Sequence, residues 1–169
     1  MKRKQIRQNC WETNSSSTHS LTIVNESRRE NVNIDDYTEF DGDGSGAFVF
    51  TGGEFGWERE EYSGFRSKMQ YAYTLVVQDD LSFSSFDSKE IAEDYPDKSP
   101  QLIMLEKVLK DNIKGLNQFR YTTGYYYVDH QSVDHMMRDI FESEDSLTNF
   151  LFNCGSVFET SNDNDDDYY

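Results

Sequence analysis

Short apolar runs separated by polar turns dominate the first third of the chain. Residues 21–24 alternate apolar and polar side chains, which predicts a short strand. Residues 32–40 are a weaker strand candidate, and a turn-rich sequence at 41–46 separates them from the apolar run at 47–50. We therefore expect a β-hairpin over residues 32–50.

Three later segments have helical spacing. Between residues 58 and 77 apolar residues recur at steps of three and four, and glutamates at 58–61 would suit the positive end of the helix dipole. A Ser-Pro pair predicts the start of a second helix at residue 99, with an end near the glycine at 115. Residues 143–152 predict a third helix, for which the serine at its first position is the N-cap.

Two further strands complete the predicted elements. Residues 121–128 are rich in Thr and Tyr, and residues 156–158 form a short apolar closing segment. The predicted fold class is α+β: a single domain over residues 1–160, with a small, mostly antiparallel sheet and about three packed helices. Residues 161–169 have the composition of an acidic, disordered tail.

Composition makes a folded core plausible and biases the choice of partners. The chain has 169 residues, with 12 Phe, 11 Tyr and 2 Trp to fill a core despite a mean hydropathy of −0.83. Its net charge is −16, although four cations lie in the first ten residues. Such a surface repels nucleic acid and anionic membranes and attracts basic proteins. We expect no direct nucleic-acid or membrane partner, and solubility alone is an alternative explanation for the charge.

The cysteines and the apolar runs indicate a cytoplasmic protein. Two cysteines, Cys10 and Cys154, do not make a disulfide framework, and Cys154 is expected to pack beside residues 150–152. No segment approaches the roughly 20 apolar residues of a membrane span, and no apolar run follows the basic amino terminus. The expected location is therefore the cytoplasm of a host cell.

The segment from Glu12 to Ser20 concentrates polar chemistry just before the first predicted strand. Its hydroxyls and amide could cradle an anionic or hydroxyl-bearing group, and His19 could act as an acid, a base or a ligand. Strand alternation would place Ser17 and His19 on one face. The alternative is a turn whose hydroxyls satisfy local backbone groups. The candidate ligand-binding residues here are Asn14, Ser15, Ser16 and Ser17.

A second polar cluster spans residues 51–57 and contains three glycines. They permit close approach of a ligand, with Glu54 at a sharp turn and Trp57 as a stacking wall. The spacing is neither that of a P-loop nor that of a dinucleotide fingerprint. The alternative is a tight connection between a strand and a helix.

A third cluster, residues 125–132, contributes His130 and Gln131 at the predicted end of a strand. His130 and His135 lack the spacing of a helical zinc pair, and His135 is expected to be structural. The turn at residues 41–46 resembles the start of an EF-hand loop, but Gly52 stands where the loop needs a bidentate Glu. We expect neither a bound metal nor a cofactor.

Together these motifs resemble a family of small proteins of phages and prophages of low-GC Gram-positive bacteria. The resemblance rests on the Glu-Thr-Asn-Ser-Ser-Ser-Thr-His-Ser segment at 12–20, on residues 52–57, on residues 127–132 and on residues 161–165. The family is uncharacterised, so the resemblance implies a phage context and transfers no reaction and no assigned site residue.

Three functional hypotheses follow. In the first, the chain is a counter-defence or host-takeover protein whose polar clusters form a pocket for a small ligand, such as a nucleotide-derived immune signal. In the second, it is an acidic inhibitor that docks on a basic host protein. In the third, His19, Glu54 and His130 serve a metal- or acid–base-dependent hydrolase or transferase. An accessory protein without pocket chemistry is the remaining alternative.

Overall fold

The computed structural model describes most of the chain between residues 4 and 162. The described residues are 4–6, 17–25, 28–40, 46–56, 58–80, 90–92, 97–123, 126–128 and 130–162. Two earlier expectations, the turn at 41–45 and the tail beyond residue 162, lie outside them.

These residues form ten strands, four α-helices and one 3-10 turn at Ile34–Tyr37. The strands are β1 (Lys4–Ile6), β2 (Ser17–Ile23), β3 (Thr38–Phe40), β4 (Gly46–Phe50), β5 (Glu54–Phe55), β6 (Glu60–Tyr62), β7 (Glu90–Ala92), β8 (Phe119–Thr123), β9 (Tyr127–Val128) and β10 (Val157–Asn162). The helices are α1 (Phe65–Asp80), α2 (Pro100–Asn112), α3 (His130–Ile140) and α4 (Glu144–Phe152). No helix within the described ranges is both long and apolar enough to cross a membrane.

The strands pair into three small sheets. The first has the order β1-β2-β10-β6, and all its pairs are antiparallel. The second has the order β3-β4-β8-β7, in which only β4 and β8 run parallel. The third is the parallel pair β5-β9. This mostly antiparallel, mixed architecture confirms the predicted α+β class.

Helix α1 is the centre of the fold and packs against α2, α3, α4 and β9. Most of its length is buried because it is enclosed by neighbours on nearly every side. Phe55, Phe158 and Tyr71 form one aromatic group beneath the first sheet, and Phe50 and Tyr73 belong to another beneath the second. Large aromatic areas buried in this way offset the low mean hydropathy.

Local signals predicted several boundaries correctly. The Ser99 hydroxyl accepts a hydrogen bond from the amide of Leu102, and the Ser143 hydroxyl accepts one from Ser146. Both are N-caps that satisfy amides left free at a helix start. Gly115 has φ of +88°, a left-handed conformation that favours glycine, and it lies in the turn after α2.

The predicted start of the first helix is wrong. Residues 60–62 form β6, and α1 begins at Phe65. Strand β6 pairs with β10, which supplies the backbone hydrogen bonds that a helical turn would have supplied. The acidic cap comes from elsewhere in the chain, since a carboxylate oxygen of Glu30 accepts the amide hydrogen of Phe65 at 3.1 Å.

Other boundaries also differ from the prediction. The expected strand 121–128 is two strands, β8 and β9, and the segment after it is helix α3, which the sequence analysis missed. Residues 32–40 form a 3-10 turn followed by β3, which still pairs with β4 as the predicted hairpin. Strand β10 continues to Asn162, so the first two residues of the predicted tail are ordered in a sheet. Cys154 is exposed and does not pack into the core as expected.

Candidate functional site

His19 is a core residue. It lies opposite Thr160 in the first sheet and is 8% exposed. Its Nδ1 atom is 2.9 Å from the hydroxyl of Tyr71, which is completely buried on α1. Burial raises the pKa of Tyr71 well above its ordinary value, so this phenol stays neutral. The imidazole is therefore buried against the ring of Tyr71.

Glu54 lies on the other side of strand β5 from that aromatic group. Its neighbour Phe55 is buried and packs edge-on against Tyr71, with ring centroids 5.1 Å apart. Because successive side chains of a strand point to opposite faces, the exposed Glu54 projects away from His19. The structure does not bring these two candidates together.

The glycines beside Glu54 have a packing role. A Cβ atom on Gly52 would overlap the Tyr126 ring, and the amide of Gly53 donates to the Thr74 hydroxyl at 2.9 Å. Close approach of a tyrosine ring therefore explains the absence of a side chain at residue 52.

His130 and Gln131 begin helix α3 instead of ending a strand. Helix α3 packs against β2, the strand of His19, and against α1. The half-buried His135 contacts Arg138 within the same helix. Ser17 begins β2 and pairs with Asn162. Asn14, Ser15, Ser16 and Trp57 lie outside the described residues.

An open cleft lies between the 3-10 turn, the end of β4 and the first two turns of α1. We call it the α1 cleft; its volume is about 260 Å³. Its lining residues are Asp36, Tyr37, Val49, Thr51, Arg66, Met69 and Gln70. The last three share a helix face because they stand at positions i, i+3 and i+4. Only Thr51 belongs to a motif singled out in the sequence.

Arg66 is held in a defined position at this cleft. Its Nη2 atom donates to the backbone carbonyl of Asp36 at 3.0 Å, and its guanidinium carbon lies 5.3 Å from the Tyr37 ring centroid. Tyr37 in turn stacks on Phe48 and meets Phe65 edge-on. This cation–π contact and this hydrogen bond position an exposed cation before any ligand arrives.

Tyr37 reports the electrostatics of the cleft. Burial is the main cause that raises the pKa of Tyr37, and the nearby Arg66 opposes it. Glu30 and Asp36 raise that pKa further, so carboxylates act on the same hydroxyl as the guanidinium. The cleft therefore places charges of both signs near one another, with Arg66 and Asp36 both in its lining.

A separate acidic pair lies on the exposed face of the first sheet. Glu61 of the edge strand β6 stands directly opposite Glu159 of β10, and both residues are exposed. The Ser20 hydroxyl donates to a Glu159 carboxylate oxygen at 3.3 Å. Like charges directly opposite one another destabilise a sheet.

Lys68 is fully buried on α1. Its ammonium donates to the carbonyls of Asn153 at 2.9 Å and Ser156 at 3.3 Å, in the turn between α4 and β10. Burial lowers the pKa of Lys68 to about 8, while Glu30 and Cys154 act in the opposite direction. These hydrogen bonds connect α1 to the turn after α4, and burial of the charged ammonium lowers the stability of the fold.

Within the described ranges, no group of three or more His, Cys, Asp and Glu side chains is arranged to hold a metal ion. Comparisons with protein-family models, with curated proteins and with solved structures returned no match.

Proposed function

We propose that the protein is a phage accessory protein that acts against its host by binding, and that it holds a small polar ligand in the α1 cleft. The supporting observation is the position of Arg66, which is exposed at a concave surface and fixed by Tyr37 and the Asp36 carbonyl. A fixed cation loses little conformational entropy when it binds a ligand.

The shape of the cleft limits the size of the ligand. Its volume of about 260 Å³ is slightly below the roughly 300–1,000 Å³ of pockets that take drug-sized molecules. Val49 and Met69 supply apolar surface, and Gln70 supplies an amide beside the guanidinium. Polar side chains outnumber the apolar ones in this lining, which favours a polar ligand.

The phage context comes from the resemblance at residues 12–20, 52–57, 127–132 and 161–165. In that context a nucleotide-derived immune signal is one ligand to test. The proposed binding residues are those of the α1 cleft, since Glu54 projects away from His19.

Thermal denaturation in the presence of candidate ligands tests this function. The panel comprises mononucleotides, cyclic nucleotides, NAD derivatives, amino acids and inorganic phosphate. A ligand at 100 times its Kd adds about 2.7 kcal/mol of stability, which for a chain of this size raises Tm by roughly 5–10 °C. Isothermal titration calorimetry then gives the stoichiometry, for which we expect one ligand per chain.

Arg66→Ala should abolish the Tm shift, and Arg59→Ala is the matched control. Arg59 is also exposed and lies just before β6, outside the cleft lining. If every panel compound leaves Tm unchanged, or if Arg66→Ala retains the full shift, the cleft is not the ligand site.

A second candidate function is docking on a basic host protein. The specific observation in its favour is the exposed Glu61–Glu159 pair in a chain of net charge −16. A cationic partner would relieve the repulsion between these two carboxylates. Charged edge strands also prevent sheets from pairing with other chains, which is the structural alternative.

Salt dependence and paired substitutions separate this second function from the first. Binding to a basic partner should weaken steeply with ionic strength and fail in Glu61→Gln/Glu159→Gln. The control is Asp79→Asn/Asp134→Asn, which removes the same charge from exposed helix positions. Partner binding that survives Glu61→Gln/Glu159→Gln would exclude this surface, and loss of binding in both double variants would indicate a net-charge effect only.

A further inference from the structure

The α1 cleft carries an acid as well as a cation. Arg66 and Asp36 both line it, and Thr51 and Gln70 add a neutral hydroxyl and a neutral amide. We infer that the cleft selects a small zwitterionic carboxylate of the amino-acid class over a nucleotide or another polyanion. This inference rests on the proposed function and specifies the chemical class of its ligand.

The guanidinium of Arg66 would bind the carboxylate group of the zwitterion. An arginine has five N–H donors in a planar fork that matches the two oxygens of a carboxylate. One hydrogen bond of Arg66 goes to the Asp36 carbonyl, and its guanidinium carbon lies over the Tyr37 ring at 5.3 Å from the centroid. A single fixed guanidinium is sufficient for one carboxylate group.

The carboxylates near the cleft would recognise the ammonium group of the zwitterion. Asp36 is exposed at the cleft wall, and both Asp36 and Glu30 raise the pKa of the Tyr37 hydroxyl. A carboxylate at the cleft wall attracts an ammonium group and repels a phosphate dianion, and Asp36 provides one there. The net charge of −16 adds to that repulsion, so a ligand of zero net charge is favoured.

Isothermal titration calorimetry on the full chain tests the inference with named probes. The 20 standard L-amino acids, adenosine monophosphate and inorganic phosphate are titrated separately at low salt. The variants are Arg66→Ala and Asp36→Asn, with Arg59→Ala as the control, and the Tm of each variant confirms that it is folded. Asp36→Asn removes the carboxylate but keeps the backbone carbonyl that accepts from Arg66.

The Asp36→Asn variant distinguishes the two ligand classes by the sign of its effect. For a zwitterion, loss of the carboxylate should weaken binding about tenfold or more, and Arg66→Ala should abolish binding. For a polyanion, loss of a repelling charge should tighten binding.

The outcomes also separate this inference from the proposed function. If only adenosine monophosphate or phosphate binds, and Asp36→Asn tightens it, the zwitterion inference is overturned while the proposed ligand function stands. If an amino acid binds equally well to Asp36→Asn, the acid has no role and the inference fails. If no probe binds the wild type, the zwitterion inference fails, and the proposed function fails with it only when the cyclic nucleotides and NAD derivatives of the thermal panel also leave Tm unchanged.

Discussion

Replacing Lys68 with methionine should remove a pH dependence of stability that the buried ammonium creates. The lysine is fully buried, and its pKa in the folded protein is lowered to about 8 from an ordinary value of 10.5. The unfolded chain therefore binds this proton more tightly than the folded chain does. Stability contributed by this site consequently rises as the pH increases between these two pKa values.

The size of the effect follows from the two pKa values. Each pKa unit corresponds to about 1.36 kcal/mol, so the charged Lys68 costs about 3 kcal/mol at pH 7 relative to a neutral amine. Between pH 7 and pH 9.5 about 2 kcal/mol of that penalty should disappear. Tyrosines such as Tyr62, whose pKa is raised to about 12, titrate with unfolding in both proteins, so the comparison with Lys68→Met cancels their contribution.

Urea denaturation followed by far-ultraviolet circular dichroism measures this change. The free energies of unfolding of wild type and Lys68→Met are compared at intervals from pH 7 to pH 9.5. The difference between the two proteins should shift by about 2 kcal/mol in favour of wild type as the pH rises. Subtraction removes the titration of groups that both proteins share.

Lys114→Met provides the control, because Lys114 is exposed in the turn after α2. A difference between wild type and Lys68→Met that stays flat over this range would refute the reasoning. The carbonyl of Ser156 loses its lysine donor in Lys68→Met, so the variant's absolute stability also includes that loss. The pH dependence is therefore the decisive readout.

Three other substitutions test the fold. Ser143→Ala removes the N-cap of α4 and should lower the free energy of unfolding by about 1 kcal/mol in chemical denaturation; an unchanged value would exclude the cap. Gly52→Ala places a Cβ against the Tyr126 ring and should destabilise by about 1–3 kcal/mol, with partial recovery on adding Tyr126→Ala; no recovery would indicate another cause. Tyr71→Phe leaves the His19 Nδ1 atom without the tyrosine hydroxyl and should cost about 1–2 kcal/mol, whereas a neutral result would show that this hydrogen bond contributes little.

Elements decided by local chemistry were predictable from the sequence. The caps at Ser99 and Ser143 and the buried strand at 47–50 depend on residues within a few positions of one another. Helix α3 also had a readable signal, because Met136, Met137 and Ile140 are buried at helical spacing. The tyrosine-rich segment before it has strand character and obscures the start of this helix.

Elements decided by distant pairing were not predictable. Residues 60–62 continue the helical spacing of α1, yet they pair with β10 near the other end of the chain. The capping carboxylate of α1 likewise comes from Glu30, before the hairpin. Neither partner can be identified from a window of neighbouring residues.

The candidate site shows the same division. The sequence predicts a chemical role for His19, but its hydrogen-bond partner Tyr71 lies in the core, 52 positions along the chain. The α1 cleft could not be predicted from the sequence because it forms only where the 3-10 turn lies beside α1. Arg66 of α1 there lies against Tyr37, which belongs to an earlier segment. The polar face formed by Arg66 and Gln70 on one helix was the only local sign of it.

We propose that Arg66 at the α1 cleft binds a small polar ligand. The most direct measurement is the side-chain Nε–Hε resonance of Arg66 by nuclear magnetic resonance, titrated with amino acids, mononucleotides, cyclic nucleotides, NAD derivatives and phosphate. A saturable shift of this resonance by one of these probes, with Arg59 unmoved as the internal reference, is the predicted result. An Arg66 resonance that none of the probes shifts, or that moves only together with Arg59, would contradict the claim.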